Sequence, residues 1–289
     1  MCDQEQLAEW ARGAMTRRGF AKTAGATAAA GSLAGCATLG GTGALAESMV
    51  AIPTSSGTMD AFFVRPQGSA SPAVLFWPDI AGIRESKRQM ARRLAGEGYA
   101  VLVANPYYRD VRANQFESFA DFAANGGFQK VGPWRGKLDA EAIMTDARSV
   151  IGWLDDQPGV DSAAGVGTQG YCMGGPFAVW TAAAVPSRVR AAASFHGGGL
   201  VKEGDPMSPH NTFDDAQASY LIAIARNDAE KAPDEERILN NAAQAAGRPA
   251  EIDVYAGDHG WTVPDSPSYD REAAERAYAN LTELYAAEL

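Results

Sequence analysis

The chain reads as an α/β protein: a mostly parallel central sheet with helices on both faces. Two observations predict this. Short apolar runs of strand length alternate with longer segments that carry apolar residues at helical spacing. Several of those runs are apolar at every position rather than every second one, as in strands covered on both faces. Right-handed strand–helix units then build a parallel sheet whose site lies beyond the carboxyl ends of its strands.

In chain order, Met49–Pro53 and Asp60–Arg65 flank the turn Ser55-Ser56-Gly57 and predict an edge hairpin. Ala73–Pro78 is the first buried strand, Glu85–Glu97 an amphipathic helix ended by Gly98, and Tyr99–Ala104 the next buried strand. Asp139–Asp155 reads as a helix with Ile143, Ala147, Val150, Ile151 and Leu154 on one stripe. Gly165–Thr168 is a short strand, followed by a helix from Met173 to about Ala184. Ala191–Phe195, Tyr220–Ala225 and Ala250–Tyr255 are further strands, with helices over Asp234–Ala246 and Tyr269–Ala287.

The N-terminus follows another logic. Thr16-Arg17-Arg18-Gly19-Phe20-Ala21-Lys22 has the twin-arginine pattern, before an Ala/Gly stretch from Ala24 to Ala34 too short for a permanent membrane span. We therefore expect a leader over 1–46 and a globular domain over 47–289, exported by the twin-arginine machinery, with the periplasm as destination. Two processing signals compete: the A-x-A site Ala44-Leu45-Ala46, and Leu33-Ala34-Gly35-Cys36, which resembles a lipobox and would leave Cys36 as a lipid anchor. A hydrophobic fraction of 46% supplies one well-buried core. A net charge of −10 with no basic patch argues against nucleic acid and anionic lipid as partners.

The cysteines are Cys2, Cys36 and Cys172, so processing after Ala46 leaves Cys172 alone and without a disulfide partner. It is either reactive or an inert buried residue. Gly170-Tyr171-Cys172-Met173-Gly174 favours the first, being a nucleophile-elbow pattern between strand and helix with cysteine in place of the commoner serine. The following helix N-terminus favours a thiolate. The remaining partners should follow in the order acid, then histidine. Of the three histidines, His210 lies in a proline-flanked loop, and His196 precedes the best acid. His259, beyond the last strand, is the expected base. Asp228, just past Tyr220–Ala225, is the expected acid; Asp258 is its rival, but neighbouring side chains in an extended loop point apart. His196-Gly197-Gly198-Gly199 follows the nucleophile and so is not a lipase-type oxyanion motif. The oxyanion donors should be the N–H groups of Met173 and of Ile80, in the loop after Ala73–Pro78. His196 is either a pocket residue or a structural one at a strand end.

With these residues placed, the chain from about Val50 to the C-terminus resembles the dienelactone hydrolase (carboxymethylenebutenolidase) family of α/β-hydrolases. The carriers are Trp77-Pro78-Asp79-Ile80-Ala81-Gly82, Asn105-Pro106-Tyr107-Tyr108-Arg109, Gly170-Tyr171-Cys172-Met173-Gly174-Gly175, Asp228 and His259-Gly260-Trp261. The resemblance implies a Cys172–His259–Asp228 triad, a small ester or lactone substrate, an acyl-thioester intermediate and no metal or organic cofactor. It places the family's acidic residue, a glutamate that bonds the resting thiol, on Asp79, and the arginine that clamps a substrate carboxylate on Arg109. The positions of a second arginine and a serine fall on Val263 and Gly260. Trp261, with other strand-end aromatics, is a candidate wall of the acyl pocket. Other readings are a general carboxylesterase or thioesterase, or an exported binding protein of the same fold.

Overall fold

The computed structural model describes residues 44–289. The twin-arginine pattern, the Ala24–Ala34 stretch and Cys36 lie outside the described residues.

Eight strands form one sheet: β1 (Leu45–Thr54), β2 (Gly57–Pro66), β3 (Ala73–Trp77), β4 (Ala100–Ala104), β5 (Val166–Tyr171), β6 (Val189–Phe195), β7 (Ser219–Ala225) and β8 (Ala250–Tyr255). Their spatial order is β1-β2-β4-β3-β5-β6-β7-β8. β1 and β2 make the expected antiparallel edge hairpin, β2 joins β4 antiparallel, and every later pairing is parallel. β1 starts earlier than its apolar core suggests. The Ala44-Leu45-Ala46 motif runs into it, with Leu45 opposite Pro66 and Ala46 opposite Arg65.

The all-apolar strands divide by parity between two cores. Ala73, Leu75 and Trp77 of β3 and Ala100, Leu102 and Ala104 of β4 face one core, while Val74, Phe76, Val101 and Val103 face the other. The first face is covered by α4 (Ala140–Asp155), α5 (Gly174–Ala184) and α7 (Glu235–Ala246). The second is covered by α1 (Glu85–Gly96) and α8 (Arg271–Glu288). Helix starts follow local chemistry: Asp139 caps α4 by accepting from the Ala142 N–H at 2.8 Å, and Asp270 caps α8 by accepting from Ala273 at 3.0 Å. The expected α4 stripe is buried throughout. α5 has no polar face, nine of its eleven residues being buried.

Two short helices, α2 (Phe119–Ala124) and α3 (Gly127–Arg135), fill the stretch between β4 and α4, and α6 (Arg226–Lys231) follows β7 directly. Among the described residues, no helix is long and apolar enough to cross a membrane.

Candidate active site

β5 delivers the chain to the elbow. Its last residue is Tyr171, Cys172 follows at φ 54°, and α5 starts at Gly174. A left-handed conformation at a residue with a Cβ costs of order 1–3 kcal/mol and persists only where surrounding bonds fix it. Here the Cys172 N–H donates to the Phe195 carbonyl at 3.0 Å and the Cys172 carbonyl accepts from the Gly175 N–H at 3.0 Å. The glycines of the motif make the turn sterically possible. A Cβ at Gly170 would stand 1.8 Å from the Gly174 carbonyl oxygen, and one at Gly174 would stand 2.5 Å from that of Trp77.

His259 lies in the connection that follows β8. Its backbone N–H donates to Asn227 Oδ1 at 2.9 Å, and its Nδ1 lies 2.6 Å from Asp228 Oδ2. A carboxylate accepts only, so Nδ1 carries the hydrogen and Nε2 is left as the basic nitrogen. The rival acid turns outward: Asp258 pairs at 2.7 Å with Arg226, both well exposed. Asp228 belongs to the polar helix α6, a helix the sequence does not announce.

Cys172 and His259 line one cavity of about 20 Å³, with Asp79, Ile80 and His196. That volume holds little more than one water molecule. Phe119, Gly260, Val263 and Ser266 complete its wall. Among the described residues, neither the Ile80 nor the Met173 N–H enters a turn, loop or cap hydrogen bond. Met173 occupies the N-cap of α5. The Tyr107 hydroxyl donates to the Ile80 carbonyl at 2.9 Å, and its oxygen lies 3.3 Å from the Met173 sulfur. Tyr107 thus ties together the two segments that carry those N–H groups.

Asp79 sits in a buried charge network. Its carboxylate meets Arg84 at 2.7 Å and 2.9 Å and Lys87 at 2.7 Å, and Arg84 reaches on to Asp265 at 2.8 Å through two nitrogens. Asp265 also accepts from the Phe119 N–H. Burial pushes the Asp79 carboxyl up, but Arg84 and Lys87 outweigh it and hold it well below the usual carboxylate range. Both Asp79 oxygens are therefore engaged in this network. Neither Arg84 nor Lys87 is marked by sequence pattern: Arg84 stands at the N-cap of α1 and Lys87 in its first turn, two charges among many in a polar stretch.

His196, at φ 42°, joins the cavity wall with its Nε2 2.9 Å from Thr262 Oγ1 and its ring centroid 4.9 Å from that of His259. Burial pulls its pKa well below the ordinary histidine value, and His259 adds to the effect. Two expected substrate contacts lie elsewhere. Arg109 grips the buried carboxylate of Asp146 with two nitrogens, at 2.7 Å and 2.9 Å, and stacks over Tyr108. That pairing turns it toward α4 and the β1–β2 turn, where Ser56 lies 3.5 Å away, and off the Cys172 cavity. Trp261 is fully buried in the second core, stacked on Tyr255 and edge-on to His196, and so backs the wall rather than forming it. Among the described residues, no cluster of His, Cys, Asp and Glu suits a metal ion.

The site can be set beside known proteins. A carboxymethylenebutenolidase of Rhodococcus opacus is 29% identical over 225 residues, 75% of this chain and 81% of that protein. A Salmonella typhi protein provisionally named a carboxymethylenebutenolidase is 26% identical over 249 residues, 84% of this chain and 88% of its own length. A crystal structure from Klebsiella pneumoniae, provisionally described as a dienelactone hydrolase, superposes with a TM-score of 0.70 at 26% identity, covering 84% of this chain and 99% of that one. The sequence model of the dienelactone hydrolase family matches residues 59–289. With an eight-stranded α/β-hydrolase sheet beneath that match, the chain belongs to the dienelactone hydrolase family and is a hydrolase.

Proposed function

We propose that the chain cleaves esters or lactones with Cys172 as nucleophile, His259 as base and Asp228 as the group that orients the imidazole. The observation that carries this reading is the 2.6 Å Asp228–His259 contact, with His259 and Cys172 facing the same cavity. His259 Nε2 accepts the thiol proton as Sγ attacks the carbonyl carbon. The resulting oxyanion is held by the Ile80 and Met173 N–H groups, each such donor contributing roughly 3–4 kcal/mol. Collapse returns the proton from His259 to the departing alcohol and leaves an acyl-thioester. A water then attacks the thioester, His259 takes its proton, and acid and thiol are released. A thiolate is a good leaving group, so the route suits substrates whose own leaving group is stable, such as enol esters and lactones. Arg17 and Arg18 before the Ala-rich stretch support export of the chain as part of the same proposal.

The test is hydrolysis of p-nitrophenyl acetate and a neutral enol lactone by the wild type and the Cys172→Ala variant. Turnover lost in a folded variant is the expected result. Substantial activity in that variant would remove Cys172 as nucleophile.

A further inference from the structure

The chemistry around the cavity bears on which carbonyl compound enters it. We infer that the site takes an uncharged ester or lactone with a compact acyl group and excludes, rather than recognises, a substrate carboxylate. This rests on the hydrolytic reading above.

Among the described residues, no lysine or arginine lines the cavity. The two cations behind Asp79 are paired with carboxylates. Arg84, its side chain wholly buried, spends its guanidinium on Asp79 and Asp265, and Lys87, equally buried, meets Asp79. Two cations and two carboxylates cancel in formal charge, and the Asp79 carboxylate is the member that reaches the cavity wall. An incoming anion therefore meets a like charge in the wall, with the cations that balance it set behind that carboxylate. Arg109, the other cation that could select a carboxylate, is held by the fully buried Asp146.

The remaining wall agrees. Ile80, Phe119 and Val263 are apolar and buried, and Val263 lies four residues beyond His259 in the same wall. Of the wall residues, His196 carries a buried polar atom, Nδ1, without a hydrogen-bond partner among the described residues. Its surroundings keep that ring neutral. A neutral nitrogen can hydrogen-bond an uncharged substrate oxygen or hydroxyl but cannot neutralise a carboxylate. The small volume sets the second limit: beside the thiol the wall of Ile80, Phe119 and Val263 must give way to any acyl group, and a short chain or small ring asks less of it than a long chain.

Two measurements separate this inference from the reading it rests on. The first compares the rates at which neutral iodoacetamide and anionic iodoacetate alkylate Cys172, followed by mass spectrometry of the Cys172 peptide. Each rate is divided by that for mercaptoethanol, which removes the intrinsic difference between the reagents. The normalised ratio should favour iodoacetamide by tenfold or more, and Val263→Arg should narrow it at least fivefold. A wild-type ratio near one, or in favour of iodoacetate, overturns the inference whatever the variant does. The second compares kcat/KM for p-nitrophenyl methyl succinate with that for p-nitrophenyl hydrogen succinate, and for the p-nitrophenyl acetate and octanoate esters. The methyl succinate and the acetate should each lead by at least tenfold; parity or reversal in either pair overturns the corresponding half of the inference. Absence of turnover on every ester would sink the hydrolytic reading, while the alkylation ratio would still decide the charge preference.

Discussion

Asp228 and His259 stand 31 positions apart in the chain and meet at 2.6 Å, carboxylate oxygen to ring nitrogen. The contact is largely shielded, with the two side chains 19% and 7% exposed. Asp228→Asn replaces an obligate acceptor with a group that also donates, so the imidazole loses its enforced tautomer. The expected outcome is a fall in kcat of roughly 10²- to 10⁴-fold with an unchanged melting temperature. Asp258→Asn, which disturbs an exposed pair with Arg226, should stay within about twofold. A larger loss for Asp258→Asn than for Asp228→Asn would reverse the assignment.

Asp79 is the shared partner of two wholly buried cations. Asp79→Asn leaves Arg84 with Asp265 alone and Lys87 uncompensated, and should destabilise the fold by about 3–5 kcal/mol in denaturant titrations. The pH dependence has a definite sign. Because the folded carboxyl is held below its ordinary value, its contribution is present above pH 3.8 and is lost as pH falls below that value. The variant should therefore show a shallower acid limb than the wild type.

Glu235 at the start of α7 behaves in the opposite way. Burial, aided by the negative charge of Asp228, pushes its carboxyl up to about 7, against hydrogen bonds from the Leu200 and Val201 backbone. Its folded pKa exceeds the ordinary value, so the native state holds the proton more tightly. Stability should then decline as pH rises from 4.5 to about 7 and level off above. Glu235→Gln should remove that slope and raise stability at pH 8 by on the order of 2–3 kcal/mol. A pH–stability profile unchanged by the substitution would show that Glu235 does not titrate in this range.

Gly174→Ala tests the elbow's closeness to β3. The added methyl would stand 2.5 Å from the Trp77 carbonyl oxygen and 2.7 Å from that of Pro78, both backbone atoms that cannot swing aside. A cost of about 2–3 kcal/mol or more is expected. Because Ile80 lies on the displaced segment, kcat should fall in whatever protein still folds. Normal stability with full activity would show that the two segments are looser than their geometry indicates.

Much of this architecture was legible in the sequence because it rests on local pattern. β3 and β4 are apolar at every position, and both of their faces meet a core. Asp139 and the α4 stripe announce a capped amphipathic helix. The parts that escaped depend on distant partners or have no period. α2 and α3 are short and interrupted by Asn125-Gly126-Gly127, and Pro133 sits inside α3. α6 has no buried residue, so nothing in it alternates. Lys87 and Arg84 are two charges among many in a polar stretch until Asp265, 181 positions beyond Arg84, is brought alongside. Arg109 shows the same limit, because Asp146 captures it from a helix whose register places that carboxylate at zero exposure.

The strand order carries a consequence for how the molecule assembles. From β5 to β8 each strand lies beside its successor in the chain, and this half contains Cys172, Asp228 and His259. β3, which leads into Ile80, must instead be threaded between β4 and the distant β5. Pairings that close short stretches of chain form ahead of those that close long ones. The proposed nucleophile, acid and base thus belong to a half whose pairings join strands adjacent in the chain. The segment bearing Ile80 joins that half only through the long β3–β5 closure, so in a refolding chain Met173 should stand beside the thiol before the second proposed N–H donor is in place.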